Sequence, residues 1–303
     1  MSNPNKALFQ VHLAVFLFGL SGLFGKFLAL PATVIVLGRT GFASLALGLW
    51  LIGQRQSFRL FRARDLLGLI LLGLLLAFHW VSFFRSIQLS TVAIGLLTFS
   101  SFPVFVTLLE PLFFPTRWQW QDAVKAALVV LGVALVIPEY RLEAEMTVGA
   151  FWGLLSGLSF ALLQLLNKGY RQRLSALLIA FYQDLFAFIS LLFVAPLTGI
   201  SFSGLELGLL VVLGVLCTAV AHTLFIESLA VLRTQTASII SALEPVYGIA
   251  LAALLLEEVP NLRTLLGVCS LLVRRHWSVG KARSLNYDAF ASRHDLTIKS
   301  SQK

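Results

Sequence analysis

Apolar residues run along this chain in long blocks separated by short polar or basic joins. Nine blocks, roughly 8–28, 32–52, 65–84, 91–113, 122–138, 148–167, 175–196, 204–226 and 235–256, are apolar enough to read as membrane-spanning helices. Spanning a bilayer takes about 20 mostly apolar residues. A tenth block, 262–273, is short; a helix of that length covers about 18 Å against a hydrocarbon core of about 30 Å. Backbone groups in lipid must find partners within the chain, so helices are expected. The alternating ten-residue segments of a membrane barrel are absent.

The pattern repeats. Phe18, Leu20, Leu23 and Lys26 recur as Phe160, Leu162, Leu165 and Lys168, an offset of 142 residues. Pro103-Val104-Phe105 recurs as Pro245-Val246-Tyr247, and Ser86 as Ser228, by the same shift. The first unit is read as 1–140 and the second as 147–273, joined by the polar stretch Pro138 to Thr147, with a polar tail at 274–303. Five helices is an odd number, so the second unit is expected upside down relative to the first. The fold class expected is therefore an all-α integral membrane protein of about ten helices, arranged as two inverted five-helix repeats. Many secondary transporters build two related gates around one central site in this way, and transport becomes the leading functional expectation. After Val273 the register breaks. Arg274 stands where the partner of Gly132 belongs, followed by Arg275, His276 and Trp277, so the tenth helix is expected to be short or divergent.

Composition fits the pattern: 58% of residues are hydrophobic and 12% charged, with mean hydropathy +0.89, far from a soluble domain. The net charge of +9 invites a nucleic-acid reading, but its distribution does not. Lys6, Arg55, Arg59, Arg62, Arg64, Arg117, Lys168, Arg171, Arg173 and Arg233 fall on one side if the spans alternate. Arg85, Arg141 and Arg263, with Lys26, fall on the other, beside Glu139, Glu143 and Glu145. The positive-inside rule places the N-terminus in the cytoplasm of a cell (inner) membrane, and a completed tenth span returns the C-terminus there. No nucleic-acid partner is expected; lipid and a small solute are. The first block lacks a signal-peptide cleavage site before the next span and belongs to the repeat, so it is kept in the mature fold. Cys217 and Cys269 lie in apolar segments and indicate neither a disulfide framework nor a metal site. Gly19, Gly22 and Gly25 lie near one face of the first helix, where small residues let helices approach closely.

Ionisable and polar groups inside a membrane are costly and mark candidate chemistry. Glu244 lies near mid-span beside Pro245, which frees the Ser241 carbonyl from its helical bond. It is read either as a proton-linked or amine-binding carboxylate or as a buried group at a kink. Asp184 is also near mid-depth, and Arg39 is the cation available to pair with it; a structural ion pair and a substrate contact both remain open. His79 and Trp80, with Phe83 a turn later, map onto Ala221, His222 and Phe225, which suits a cavity for flat or amphipathic ligands. Gln164 and Asn167 are one turn apart and are candidate polar cavity groups. Lys26 and Lys168 are equivalent, read as gates or as interface anchors with snorkelling stems. Glu110 and Glu227 are read as interface anchors. Gly-x-Ser-x-Gly, His-Glu-x-x-His and a nucleotide-binding loop are all missing, so neither an enzyme nor a primary pump is expected. The five histidines are scattered, and neither a metal nor a cofactor is expected.

Span nine, reading Ser241-Ala-Leu-Glu-Pro-Val-Tyr and then Ala252 to Glu257, resembles the second-repeat pattern of the EamA-type branch of the drug/metabolite transporter superfamily. Phe102-Pro-Val-Phe is the looser first-unit counterpart, and Phe18-Gly19 is similar to the family's aromatic-Gly pair. Position 115, equivalent to Glu257, departs as proline. The resemblance covers about 1–273. It implies ten helices in two inverted units around a central cavity, and export of small metabolites such as amino acids or related amphipathic solutes, with a proton as a candidate coupling ion. The competing expectation is a membrane protein that does not transport, either a partner-binding component or a degenerate copy with a defective last span.

Overall fold

The computed structural model describes residues 4–58, 62–115, 120, 144–196, 198, 200–241 and 243–258. The expected fifth span, the tenth block and the polar tail lie outside the described residues, as do Arg141, Arg263 and Cys269. Among the described residues the secondary structure is helical. In chain order these are α1 (Pro4–Phe27), α2 (Ala32–Gly53), α3 (Ala63–Leu89), α4 (Val92–Phe99), α5 (Phe102–Phe113), α6 (Glu145–Arg171), α7 (Ala176–Leu192), α8 (Gly204–Gly214), a π-helical stretch Val215–Val220, α9 (Ala221–Ser228), α10 (Thr234–Ser241) and α11 (Glu244–Leu255). Seven helical stretches are long and apolar enough to cross a membrane, while α7 is apolar but has only 17 residues.

Polarity is distributed as lipid requires. Phe9, Leu49, Trp50, Leu67, Phe193 and Leu254 are exposed, while Arg39, His79, Gln164, Gln183, Asp184 and Glu244 are buried. A soluble domain would reverse this arrangement. Local chemistry fixes the helix starts. Thr91 Oγ1 accepts from the Ile94 N–H at 3.1 Å, and Ser175 Oγ from the Leu178 N–H at 3.2 Å. Ser203 and Glu206 form a reciprocal capping box at α8.

Span four, expected as one block, is two half-helices, and so is span nine. Their boundaries coincide under the 142-residue shift: Val92, Phe99, Phe102 and Phe113 match Thr234, Ser241, Glu244 and Leu255. The cause is shared. Pro103 and Pro245 sit in the first turns of α5 and α11, where a missing N–H is tolerated, but no proline N–H can bond the turn before it. Both breaks therefore fall in the interior of their spans.

Packing obeys the same exchange. α3 lies along α6 as α1 lies along α9; α4 and α5 pack on α6 as α10 and α11 pack on α1; α3 meets α7 as α2 meets α8 and the π-helical stretch. α2 against α7 maps onto itself, and α4 against α11 maps onto α5 against α10. The skeleton thus carries a two-repeat symmetry. Lys26 at the end of α1 donates to the Ser90 carbonyl at 2.8 Å. Gly149, in the first turns of α6, is packed so tightly that an added Cβ would come within 2.9 Å of Ser90 Cβ. The end of α1 and the start of its repeat counterpart α6 therefore meet at the same end of the bundle.

Candidate functional site: a central aromatic cavity with one carboxylate

Between the two broken spans lies a small cavity of about 20 Å³, lined by Phe18 and Ser21 of α1, Leu76, His79, Trp80 and Phe83 of α3, Phe99, Phe160, His222 and Glu244. That is room for one water-sized group. Phe18 and Phe160 are repeat counterparts and both reach the wall. Glu244 arrives there because the second break makes it the first residue of α11, where the positive end of the helix dipole favours an acid.

The histidines are held differently. His79 Nδ1 lies 3.0 Å from the Ser156 carbonyl oxygen, to which its N–H donates, and 3.0 Å from Ser156 Oγ. Its ring stacks on Phe160 with centroids 5.1 Å apart. His222 meets Trp80 edge-on at 5.7 Å, and its Nδ1 lies 3.8 Å from Asp184 Oδ2, too long for a hydrogen bond.

Arg39 is the largest charged group in the interior, at 1% exposure. Its guanidinium lies over Trp80, 3.8 Å from the ring centroid, and its Nε donates to Thr218 Oγ1 at 3.0 Å. Thr218 in turn donates to the Leu213 carbonyl five residues back at 2.7 Å. The π-helical stretch is the local distortion that makes this i−5 bond and turns the hydroxyl toward Arg39, and such bulges recur at functional sites. Arg39 and Asp184 are within Coulombic reach, yet no hydrogen bond joins them, and Nη1, Nη2 and both Asp184 oxygens have no hydrogen-bond partner among the described residues.

Of the sequence-predicted residues, the structure brings His79, Trp80, Phe83, His222 and Glu244 together on the wall. It places Arg39 and Asp184 just behind. Gln164 and Asn167 are buried but face elsewhere. Gln164 accepts from Ser238 Oγ at 2.7 Å, and Asn167 accepts from Gln183 Nε2. Lys26 and Lys168 lie away from the cavity and make matching contacts, Lys168 donating to the Leu232 carbonyl at 3.4 Å. Each reaches a carbonyl at the end of the third span of its own repeat.

Sequence reasoning missed Ser21, Leu76 and Phe99 on the wall, Thr218 behind it, and the contacts that tie the repeats together at the two ends. At the Lys168 end Arg173 pairs with Asp65 at 3.1 Å, Tyr182 donates to the Phe58 carbonyl at 2.7 Å, and Lys168 lies 5.8 Å from the Phe114 ring. At the Lys26 end the Val92 N–H donates to Glu258 at 3.1 Å. Glu258 is aimed there by Glu257, whose φ of 57° closes α11 with a left-handed turn. Phe18 and Phe160 were legible as repeat counterparts but not as wall residues.

Comparison with known proteins agrees with this architecture. Residues 5–137 and 147–273 each match the EamA-like transporter family. The chain is 29% identical over 270 residues to the uncharacterized transporter YxxF of Bacillus subtilis (strain 168), covering 86% of each. It is 30% identical over 210 residues to an uncharacterized transporter of Archaeoglobus fulgidus, covering 69% of this chain and 74% of that one. A solved crystal structure shares the fold, with TM-score 0.69 at 14% identity, covering 94% of this chain and 99% of the other. With a central cavity at the junction of two exchange-symmetric repeats, and both repeats matched, the chain is a membrane transporter protein and belongs to the EamA-like transporter family.

Proposed function

We propose that this transporter is a secondary carrier exporting small amphipathic metabolites, amino acids or related solutes, by alternating access, from a cell (inner) membrane with its Lys168 end in the cytoplasm. The observation that carries the reading is the central cavity: both repeats wall it, both half-helix pairs break beside it, and contacts between the repeats lie towards each end of the bundle. Inversion of the repeats is supported by the meeting of the end of α1 with the start of α6 near Ser90. Inverted repeats give two alternative closures of one site.

The contacts divide by what rocking requires. Lys26 to Ser90, Lys168 to Leu232, and Arg171 to Glu227 at 2.7 Å stay within one repeat and travel with it. Asp65 with Arg173, Tyr182 with Phe58, and Glu258 with Val92 join the two repeats and must break at one end or the other. Lys26 is then a strut of its repeat, Lys168 braces its own repeat and also meets Phe114 of the other, and the gates are the cross-repeat contacts. Glu244 is the proposed solute and proton site, with His79, Trp80, Phe83 and His222 around it.

The test is solute flux in proteoliposomes carrying the full chain, with a panel of amino acids, nucleobases and aromatic compounds. Saturable flux of one class, lost in Glu244→Ala or His79→Ala, is the expected result. Absence of flux from folded protein across the panel favours the non-transporting alternative.

A further inference from the structure

Among the described residues the cavity wall presents one carboxylate and no lysine or arginine. Glu244 is 3% exposed, and among the described residues no hydrogen bond or ion pair reaches its carboxylate. It shares the wall with five aromatic rings, Phe18, Trp80, Phe83, Phe99 and Phe160. A carboxylate held away from water without a partner is costly, and the faces of aromatic rings carry negative potential. Both favour a cation in the space between.

The other charged and titratable groups packed around the site do not fill that role. Arg39 on α2 lies behind Trp80, with its Nε committed to Thr218. Asp184 on α7, which is off the wall, stands within its Coulombic reach together with Glu244, so the guanidinium is shared between two acids. Cys217, on the π-helical stretch, also faces Arg39. His79 on α3 is held by Ser156, and His222 on α9 stands beside Asp184.

We propose that the group recognised at Glu244 is an ammonium, so that the ligand is an amphipathic amine of net charge +1 with an aromatic or apolar body. The inference rests on the cavity being the solute site, and it narrows the proposed solutes from zwitterionic amino acids to related amines. Its size fits: about 20 Å³ accommodates one water-sized head such as an ammonium, and the ligand's body enters as the bundle opens. A free carboxylate on the ligand gains nothing here, because it would meet Glu244 and ring faces while the guanidinium stays behind Trp80.

Calorimetric binding to the full chain in lipid nanodiscs tests this with three probes that differ in charge: 2-phenylethylammonium, zwitterionic phenylalanine and 3-phenylpropanoate. The expected order is the amine first, the zwitterion about tenfold weaker or worse, and no binding of the anion. Glu244→Gln is expected to weaken the amine by at least about tenfold, while Glu244→Asp, which keeps the charge, retains part of the affinity. Equal thermal unfolding of the variants separates lost recognition from lost fold. Zwitterion or anion binding as tight as the amine overturns the proposal, as does amine binding indifferent to Glu244→Gln or absent from wild type. Flux is read separately. Glu244-dependent amine binding without transport retires the carrier reading and keeps this one, whereas saturable flux of another solute without amine binding does the reverse.

Discussion

The two repeats share a skeleton and differ in their chemistry. Helix breaks, packing partners and the lysine struts recur at the 142-residue offset, yet nearly every charged or polar group near the cavity has an apolar counterpart. Glu244 stands opposite Phe102, Arg39 opposite Phe181, Asp184 opposite Phe42, and Thr218 opposite Leu76. His79 matches Ala221, and Trp80 matches His222. On the alternating-access reading proposed above, the duplicated positions build the moving frame and the unduplicated ones the solute site. The π-helical stretch is the clearest case: α3 runs as an unbroken α-helix through the positions where its counterpart widens around Thr218.

Variants that force one repeat to resemble the other separate those roles. The largest effect is expected at Arg39. Converting it to Phe, the residue of the second repeat, leaves Asp184 buried without its nearby cation and destabilises the fold by about 3–5 kcal/mol, seen as a drop in thermal unfolding temperature in detergent. Adding Asp184→Phe, so that both positions match their repeat counterparts Phe181 and Phe42, is expected to recover most of that stability. Next comes Gly19, whose added Cβ would meet the Glu244 carbonyl oxygen and Tyr247 Cβ at 3.0 Å. Its counterpart is Ala161. Gly19→Leu is expected to separate α1 from α11 at a cost of about 1–3 kcal/mol, whereas Gly19→Ala, matching the other repeat, costs less.

Thr218→Leu restores the first-repeat residue and removes two hydrogen bonds, at Arg39 Nε and at the Leu213 carbonyl. A loss of about 1–3 kcal/mol is expected, with the π-helical stretch relaxing toward α-helix in the amide-exchange pattern. The smallest stability effects lie at the ends. Asp65→Asn or Glu258→Gln is expected to cost about 1 kcal/mol or less while shifting which end of the cavity admits a thiol reagent.

How much of this was written in the chain follows from the same division. The spans and the repeat were legible because they are local patterns: long apolar blocks, Phe18 with Phe160, Lys26 with Lys168. Pro245 marked the second break, and Glu244 stood out as an acid in an apolar span. His79 and Trp80 were visible for the same reason. Contacts between repeats were not legible, because nothing local distinguishes Asp65 from any acid opening a helix, or Thr218 from any membrane threonine. Asp65 acquires its role only when Arg173 is brought over it, and Thr218 only when Arg39 arrives from the other repeat. Gln164 and Asn167 illustrate the converse. Their one-turn spacing is real, but spacing does not say which neighbour a face meets, and Ser238 and Gln183 are the neighbours the fold supplies.

The central claim is that the repeats move as two halves hinged about the cavity, closing one end as the other opens. Spin-label distances test it most directly, with one pair at Arg62 and Gln172 on the Lys168 end and one at Ala29 and Glu257 on the Lys26 end, all exposed positions. Removing the Lys168-end tie with Asp65→Asn is expected to lengthen the first distance while the second holds or shortens. Lengthening of both distances together, or no response in either, would contradict the account.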